Sequence, residues 1–293
     1  MNKSKIIKSL HEISNFYNAY IIDIWGVLWD GIEAYEYAKE TLEQLKKNKN
    51  HIILLSNAPR RTQIVEKRLQ SIGIYSSLYD TIVSSGEVCR ECFLDDHKKL
   101  SKIGYSYYFI GQDTDKGITS NLKIREQKNM KNANFLLVCG TRDFDHTLDD
   151  YKKELNQALA LNLPFICTNP DKIVVRKEGK LIICAGILAE YYKKHGGRVV
   201  YFGKPYEDVY KKSLNFFNSL DDSINTSNIL VIGDSLETDI LGANSNGLKS
   251  LLIADGIHKK QLYEKKKLSL NLLTNLSNNF GIFPDYLIKS FIF

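Results

Sequence analysis

The chain has 293 residues, of which 43% are hydrophobic and 25% charged, a composition typical of a globular protein with a buried core. No apolar run reaches the length of a membrane span, which argues against an integral membrane protein and predicts no membrane partner. The net charge of +6 is mild and the lysines are dispersed, so a nucleic-acid partner is disfavoured as well.

The five cysteines predict a reduced protein rather than a disulfide framework. Cys139, Cys167 and Cys184 lie in or beside apolar runs and are interpreted as buried small hydrophobic residues. Cys89 and Cys92 form a C-x-x-C pair, but without a second pair or a nearby histidine cluster two thiols on one helix are favoured over a zinc site. All five fit a reducing, cytoplasmic location.

The first ten residues contain lysines but no sustained apolar stretch, so they do not resemble a secretory signal. A short amphipathic helix is predicted there instead. Beyond them, short apolar runs alternate with charged stretches of helical period, a pattern typical of βα units and a parallel sheet. The sequence therefore predicts an α/β protein.

Four of the predicted strands share one feature, a small or charged polar group directly after the last apolar residue. The strands with the groups that follow them are 19–22 with Asp23, 51–55 with Ser56 and Asn57, 199–202 with Gly203 and Lys204, and 229–232 with Gly233 and Asp234. Helical patterns follow over residues 34–47, 62–71, 207–220 and 238–246. Ligands of a doubly wound sheet bind at the carboxyl ends of its strands, so these groups are expected to converge on one crevice.

The same polar residue types are also common as helix caps and turn residues. That interpretation accounts for Ser56 and Asn57 taken singly. It does not account for Asp23, which lies inside the hydrophobic stretch of residues 21–25. A carboxylate in such a stretch needs a partner, and a cation is a natural one.

A long insert, about residues 84–185, separates the second of these strands from the third. It has strand candidates of its own at 107–110, 135–139, 164–167, 173–176 and 181–184 and a helix at about 148–161. These elements are enough for a second α/β unit with its own core. The predicted organisation is a core domain of residues 1–83 and 187–293, with an inserted cap domain of residues 84–186 over the crevice.

Four segments carry a resemblance to a known family. Residues 23–28 resemble the first motif of the haloacid dehalogenase (HAD) superfamily, D-x-D-G-x-x, with one departure, and 54–57, 203–205 and 233–240 resemble its second, third and fourth motifs. Four motifs in the family's order, over about residues 17–256, make a specific match. The cap position and the Cys-Thr-Asn-Pro-Asp segment 167–171 are similar to the NagD-like class IIA group of sugar-phosphate, nucleotide and p-nitrophenyl-phosphate phosphatases. The resemblance implies a doubly wound, HAD-like Rossmannoid core with a cap of the C2 type.

The resemblance also implies a nucleophile and a metal site at the first and fourth motifs. Asp23 would attack phosphorus in line and form an aspartyl-phosphate. Asp23, Asp234 and the backbone carbonyl of Trp25 would hold Mg²⁺, a hard cation that takes oxygen ligands. Gly26 would let the backbone approach the phosphate closely.

The second and third motifs imply a phosphoryl-binding site. Ser56, the amide of Asn57 and Lys204 would hold the oxygens of the transferring group, where charge must be stabilised. Asp239 would orient Lys204 or a water molecule at the metal.

The departure from the family lies at Trp25, which replaces the usual second aspartate of the first motif. In the family's phosphatases that aspartate protonates the leaving oxygen and later activates water, and an indole does neither at neutral pH. Three consequences are open: hydrolysis that is slow or limited to good leaving groups, substitution by another group such as Asp30, or binding without hydrolysis. Similar D-x-W-G variants form a subgroup of class IIA, which favours an altered chemistry over a chance lesion.

The segment 141–145 of the cap is expected to face the crevice and to select the substrate. Arg142 and its neighbour Asp143 are the candidates, with Arg142 reading a second anionic group of the substrate. A solvated arginine on an exposed loop is an equal alternative. Arg60 and Arg61, after the second motif, are weaker candidates for a phosphate contact because arginines on helix surfaces are common.

The sequence thus predicts a Mg²⁺-dependent phosphoryl hydrolase or transferase that acts on a small phosphorylated metabolite, a sugar phosphate or a nucleotide. The alternative is a catalytically weak phosphate-binding or regulatory protein on the same scaffold, and a homodimer is compatible with both. The aromatic residues near the end of the chain, after residue 256, are expected to cover the core rather than to meet a partner.

Overall fold

The computed structural model describes residues 4–95, 98–100, 102–176 and 179–293. Its strands are β1 (Lys5–Ile6), β2 (Ala19–Asp23), β3 (His51–Ser56), β4 (Thr81–Ser84), β5 (Ser106–Ile110), β6 (Arg125–Glu126), β7 (Phe135–Val138), β8 (Phe165–Cys167), β9 (Ile173–Val175), β10 (Leu181–Ile183), β11 (Val199–Tyr201), β12 (Ile229–Gly233), β13 (Lys249–Ile253), β14 (Tyr263–Glu264), β15 (Lys267–Leu268) and β16 (Tyr286–Ile288). Its helices are α1 (Ala38–Lys47), α2 (Thr62–Ser71), α3 (Ser85–Leu94), α4 (Asp149–Ala160), α5 (Ala185–Lys194), α6 (Glu207–Leu220), α7 (Leu241–Ser245), α8 (Lys259–Leu262) and α9 (Leu270–Phe280).

The larger sheet has the strand order β1-β16-β13-β12-β2-β3-β4, and all its neighbouring strands are parallel. Its central strands are continuous runs of Ile, Leu and Val, as parallel strands covered on both faces require. Ile21 and Ile53 pack into one apolar cluster, and Ile22 and Leu54 pack into another on the opposite face. The predicted doubly wound α/β core is confirmed.

The second sheet has the order β11-β8-β7-β5-β6 and is also parallel. One of its faces packs with α4 and α5 around Phe165, Tyr151 and Tyr192, which are all buried. Strands β9 and β10 form a separate antiparallel hairpin. The inserted α/β cap that the sequence predicted is therefore present as a second layered unit with its own core.

Strand β11 belongs to this second sheet, whereas the sequence analysis had assigned it to the core. It pairs with β8, so that Val199 lies opposite Phe165 and Tyr201 lies opposite Cys167. A run of three apolar residues does not specify which sheet it joins, and the preceding helix α5, which packs against β8, decides it here. We propose accordingly that the cap ends near residue 201 rather than at residue 186.

Both ends of the described chain join the larger sheet. Lys5 and Ile6 form β1 beside β16, so the amphipathic helix predicted for the first ten residues is wrong from residue 4 onward, and residues 1–3 lie outside the described chain. Hydrophobic periodicity cannot reveal a strand this short, because its partner lies at the other end of the sequence. Phe291 is 3% exposed and packs into the core, as expected for the aromatic residues near the end of the chain, whereas Phe280 and Phe283 are exposed.

The cysteines follow the simpler of the two interpretations. Cys89 and Cys92 lie on α3, and both are buried and free, as two thiols on one helix.

Among the helices that the structure describes, none combines the length and the apolar composition needed to cross a bilayer.

Candidate active site

Three aspartates come together at the carboxyl ends of neighbouring strands. Asp23 ends β2, Asp234 follows β12, and Asp239 lies in a single π-helical turn, Leu236–Ile240, directly after it. Since β2 and β12 are paired, their ends lie side by side, and one carboxylate oxygen of each aspartate lies within 4.8 Å of the others. All three side chains are buried, so the cluster needs positive charge.

Lys204 supplies one positive charge to this cluster. Its Nζ donates to Oδ1 of Asp23 and, at 2.7 Å, to Oδ1 of Asp239, and the residue is only 2% exposed. Burial lowers the pKa of Lys204, but Asp23 and Asp239 outweigh that effect and raise it above its usual range. The lysine is therefore a permanent cation of the site.

One ammonium group does not balance three buried carboxylates. Burial is the main reason that the pKa of Asp23 is raised and that the pKa of Asp234 is raised to about 7, and the neighbouring carboxylates add to both shifts. The Asp234 carboxylate packs directly on the backbone of Gly26, which has a φ of +87°, and a Cβ there would lie 2.1 Å from its Oδ2. The three carboxylates offer hard oxygen ligands, and their negative charge exceeds the single positive charge of Lys204. A divalent cation fits such a site.

Ser56 and Asn57 end β3 on the same edge, but their side chains have different partners. Ser56 Oγ accepts a hydrogen bond from the Ala58 amide at 3.1 Å. Asn57 Oδ1 accepts from the Lys204 amide at 2.7 Å, while its Nδ2 donates to Asp171 Oδ1 at 2.8 Å and to the Lys204 carbonyl at 3.1 Å. The Asn57 side chain thus fixes the loop that carries the lysine.

Trp25 lies between the core and the cap. Its Nε1 donates to the Val175 carbonyl on β9 at 2.8 Å, and its ring packs edge to face on Trp29 at a centroid distance of 5.1 Å. Where the first motif of the resemblance has an acid, this chain therefore has an aromatic contact to the cap hairpin.

Two cavities meet at Asp23, and both are also bordered by Trp25, Asp171 and Arg176. The acidic cavity, about 720 Å³, has the carboxylates of Asp30, Asp234 and Asp255 in its wall. The apolar cavity, about 310 Å³, contains Ser56 and Asn57 together with a mainly apolar wall, which includes Trp29, Ile64, Phe144, Val174 and Ile182. Asp234 thus borders only the acidic cavity, whereas Ser56 and Asn57 border only the apolar cavity.

Arg142 and Asp143, the two predicted substrate contacts of the cap, border neither cavity. The guanidinium of Arg142 donates twice to Glu154, both at 2.8 Å, and Oδ1 of Asp143 accepts from the amide of Asp145. Arg142 is thus held by a carboxylate of the cap's own helix α4. Thr141 and Phe144 of the same predicted segment do border the apolar cavity, and a substrate contact of Arg142 and Asp143 stays a prediction.

Three further predicted candidates also have partners within the protein. Arg60 pairs with Asp115 at 2.6 Å and Arg61 pairs with Glu87 at 2.7 Å. Asp30 lies in the acidic cavity, but its Oδ1 accepts from two backbone amides at 2.8 and 2.9 Å, as in an Asx turn.

The cap residues that do border Asp23 are ones to which the sequence analysis gave no role. Asp171 follows β8 and Arg176 follows β9, so both are at strand ends, which is the signal that could have identified them. Burial raises the pKa of Asp171 to about 6, although the positive charge of Lys204 opposes that shift.

Comparison with known proteins agrees with this arrangement. A family model described as haloacid dehalogenase-like hydrolase matches residues 20–153, and a HAD-hydrolase-like model matches residues 201–276. The sugar-phosphatase AraL of Bacillus subtilis is 25% identical over 82% of this chain and 84% of its own length. The ribonucleotide monophosphatase NagD of Escherichia coli K12 is 26% identical over 81% of this chain and 87% of its own length.

Solved structures share the whole architecture. A haloacid dehalogenase-like hydrolase from Brucella suis 1330 is 29% identical, covers 98% of this chain and 100% of its own, and superimposes with a TM-score of 0.83. A possible sugar phosphatase from Cytophaga hutchinsonii, 22% identical, shares the fold over 98% of both chains with a TM-score of 0.79.

The chain belongs to the haloacid dehalogenase-like hydrolases. Within that family, its inserted α/β cap and its curated relatives assign it to the NagD-like class IIA group.

Proposed function

We propose that this chain is a Mg²⁺-dependent phosphatase that hydrolyses a small phosphorylated metabolite through an aspartyl-phosphate on Asp23. The observation that carries the proposal is the contact of Asp23 with Lys204 inside a cluster of buried carboxylates at the strand ends. The names of the relatives, a sugar-phosphatase, a 5'-nucleotidase and a ribonucleotide monophosphatase, support a phosphate ester as the substrate.

The chemistry follows from the positions of the side chains. A carboxylate oxygen of Asp23 attacks phosphorus, and the bond between phosphorus and the leaving oxygen breaks in line. Ser56 and Lys204 stabilise the negative charge of the phosphoryl oxygens. Mg²⁺ held by Asp23, Asp234 and the carbonyl of Trp25 would neutralise the charge of the phosphate as it approaches the acidic cluster. Asp239 holds Lys204 in place through its 2.7 Å contact.

A phosphate-binding protein without turnover is the second candidate, and one observation favours it. Trp25 replaces the acid of the first motif, and its indole nitrogen is already bound to Val175 of the cap. Both candidates predict binding of phosphate and Mg²⁺, and they differ in turnover.

Hydrolysis of p-nitrophenyl phosphate with and without Mg²⁺ distinguishes the two. We expect hydrolysis by the native chain that requires Mg²⁺ and is lost in Asp23→Asn, because the amide is a poor nucleophile. Asp222→Asn, the same change at an exposed aspartate, is the matched control and should retain activity. If the folded native chain binds Mg²⁺ and phosphate but releases no nitrophenol, the binding-protein candidate replaces the phosphatase.

Binding of Mg²⁺ is expected to weaken as the pH falls below about 7. The pKa of Asp234 is raised to about 7, so protons compete with the metal for this ligand below that pH. Isothermal titration with Mg²⁺ should give an affinity that falls up to about tenfold for each pH unit below 7 and changes little above it. Asp234→Asn should bind weakly at every pH, and an affinity independent of pH would contradict the assignment of Asp234 as a ligand.

A further inference from the structure

The side chain of Trp25 is held rigidly at the position of the missing acid. Besides its hydrogen bond to Val175 and its contact with Trp29, the ring lies so close to Gly31 that a Cβ there would be 2.5 Å from its Cζ2. An indole held in this way can neither donate a proton to a leaving oxygen nor move aside for a group that does.

The carboxyl groups that border the apolar cavity are all engaged. Asp115 accepts from Arg60 at 2.6 Å, Asp171 accepts from Asn57 at 2.8 Å, and Asp23 is the nucleophile. Along the described wall of this cavity there is no histidine, lysine or tyrosine that could act as an acid in their place. At pH 8, where Asp171 with its pKa of about 6 is ionised, a leaving group in this cavity therefore meets no carboxylic acid, histidine, lysine or tyrosine that could give it a proton.

The wall of the apolar cavity suits one kind of leaving group. A sugar would bring hydroxyl groups against Trp25, Trp29 and Phe144, where their hydrogen bonds to water would not be replaced. Only hydroxyl groups that reach the polar part of the wall, at Gln112, Thr141 and Asn169, would find new partners. With about 310 Å³, the cavity has the size of a small ligand site, and a flat apolar group would fill it without that loss.

Positive charge is present at the same wall. The guanidinium of Arg68 lies 4.9 Å from the ring centroid of Trp29, and that of Arg176 lies 5.5 Å from the ring centroid of Phe144. Both arginines border the cavity, so a negative charge that appears there on departure of the leaving group is stabilised without a proton.

We infer that the substrate is a phosphate monoester of a phenol- or enol-type oxygen on a small, largely apolar group, which departs as an oxyanion into the apolar cavity. The inference rests on the proposed function, because it takes Asp23 as the nucleophile. A phenol-type oxygen, with a pKa of about 10 in tyrosine, carries negative charge far more readily than a sugar hydroxyl does.

The two chemical steps balance without a protein acid. In the first, Asp23 forms a bond to phosphorus, and the electron pair of the breaking P–O bond stays on the leaving oxygen, which departs as the phenolate or enolate. In the second, a water oxygen attacks phosphorus and the carboxylate of Asp23 is regenerated. Both protons of the water end on the inorganic phosphate, which is formed as H₂PO₄⁻, so no external acid or base is consumed.

Leaving-group dependence tests the inference. We would measure kcat/KM, which reports the first step, for a series of substituted phenyl phosphates and for a hexose 6-phosphate. The measurements are made at about pH 8, where Asp171, with a pKa of about 6, is ionised. The proteins are the native chain, Trp25→Phe, Trp25→Asp and Asp171→Asn. We expect the native chain and Trp25→Phe to hydrolyse p-nitrophenyl phosphate about 10²–10⁴-fold faster than the hexose phosphate, and Trp25→Asp to lose most of that difference.

Each other outcome has a definite meaning. Equal rates on aryl and hexose phosphates in the native chain would overturn the inference and leave the proposed function intact. If the rates are equal and Asp171→Asn separates them, Asp171 supplies the proton and the inference is again overturned. If no ester is hydrolysed, the proposed function fails and the inference fails with it. Should Trp25→Asp not fold, the native chain and Trp25→Phe still test the preference for aryl phosphates. The phenylalanine keeps an aromatic side chain without an acidic group and removes the hydrogen bond to Val175.

Discussion

Lys204→Met is expected to lower the free energy of unfolding by about 3–5 kcal/mol at neutral pH, the range found when one partner of a buried ion pair is removed. The ammonium group is buried and contacts Asp23 and Asp239, with Asp234 nearby, so its removal leaves three buried carboxylates without their cation. The loss should be larger at pH 8 than at pH 5, because the pKa values of Asp23 and Asp234 are raised and protonation of these two side chains removes charge that the lysine balanced. Urea unfolding followed by circular dichroism at both pH values measures it.

The same substitution at Lys212 is the matched control. Lys212 forms an ion pair with Glu91 in which both side chains are partly exposed, and pairs of this kind contribute at most about 1 kcal/mol. Equal destabilisation by the two substitutions would mean that the buried ion pairs of Lys204 contribute no more to the free energy of unfolding than an exposed pair does. In the phosphatase assay Lys204→Met should also lose about 10²–10³-fold in kcat, the typical effect of removing one donor to a transition-state oxyanion.

A burst of nitrophenol, close to one equivalent per protein molecule, is expected when the native chain is mixed with p-nitrophenyl phosphate. Formation of the aspartyl-phosphate needs no acid with this leaving group, whereas its hydrolysis lacks the base that activates water in the family's phosphatases. The absence of a general base slows a step by about 10²–10⁴-fold, so the phosphorylated form should accumulate. Rapid mixing measures the burst, and mass spectrometry of acid-quenched protein measures the phosphate on Asp23.

Trp25→Asp provides the contrast, since a carboxylate at this position restores the base. We expect it to remove the burst and to raise the steady rate. A linear time course in the native chain, with no phosphorylated protein after quenching, would show that the first step limits turnover or that another group activates the water.

Much of the fold could be predicted because its elements have strong local signals. Helices α2 and α6 were predicted at the residues where they occur, since their apolar residues recur at helical spacing between clear ends. Strands β13 and β16 and the edge strands β1 and β4 were not predicted. Strands β1 and β16, with two and three residues, leave no periodic pattern, so tertiary contacts alone determine them.

The core residues proposed for the site were predicted from strand ends, whereas Asp171 and Arg176 of the cap were not predicted. Asp23 and Asp234 follow strands of one sheet, so their proximity follows from the pairing of β2 with β12. Arg142 was chosen by its charge, and its pairing with Glu154 depends on how α4 packs, which no local pattern encodes. The role of Trp25 in binding the cap likewise depends on a carbonyl 150 residues later in the chain.

Because β11 belongs to the cap sheet, opening of the cap and the position of Lys204 are linked. Lys204 lies three residues after Tyr201, the last residue of β11, and three residues before Glu207, the first residue of α6, which packs on the larger sheet. The lysine is therefore at the joint between the cap and the core. A hinge motion that lifts the cap to admit substrate would draw the ammonium group away from Asp23. An open molecule would then be unable to transfer phosphate, and water entering through the opening would meet an incomplete site. The enzyme would be gated by the same segment that carries its essential cation.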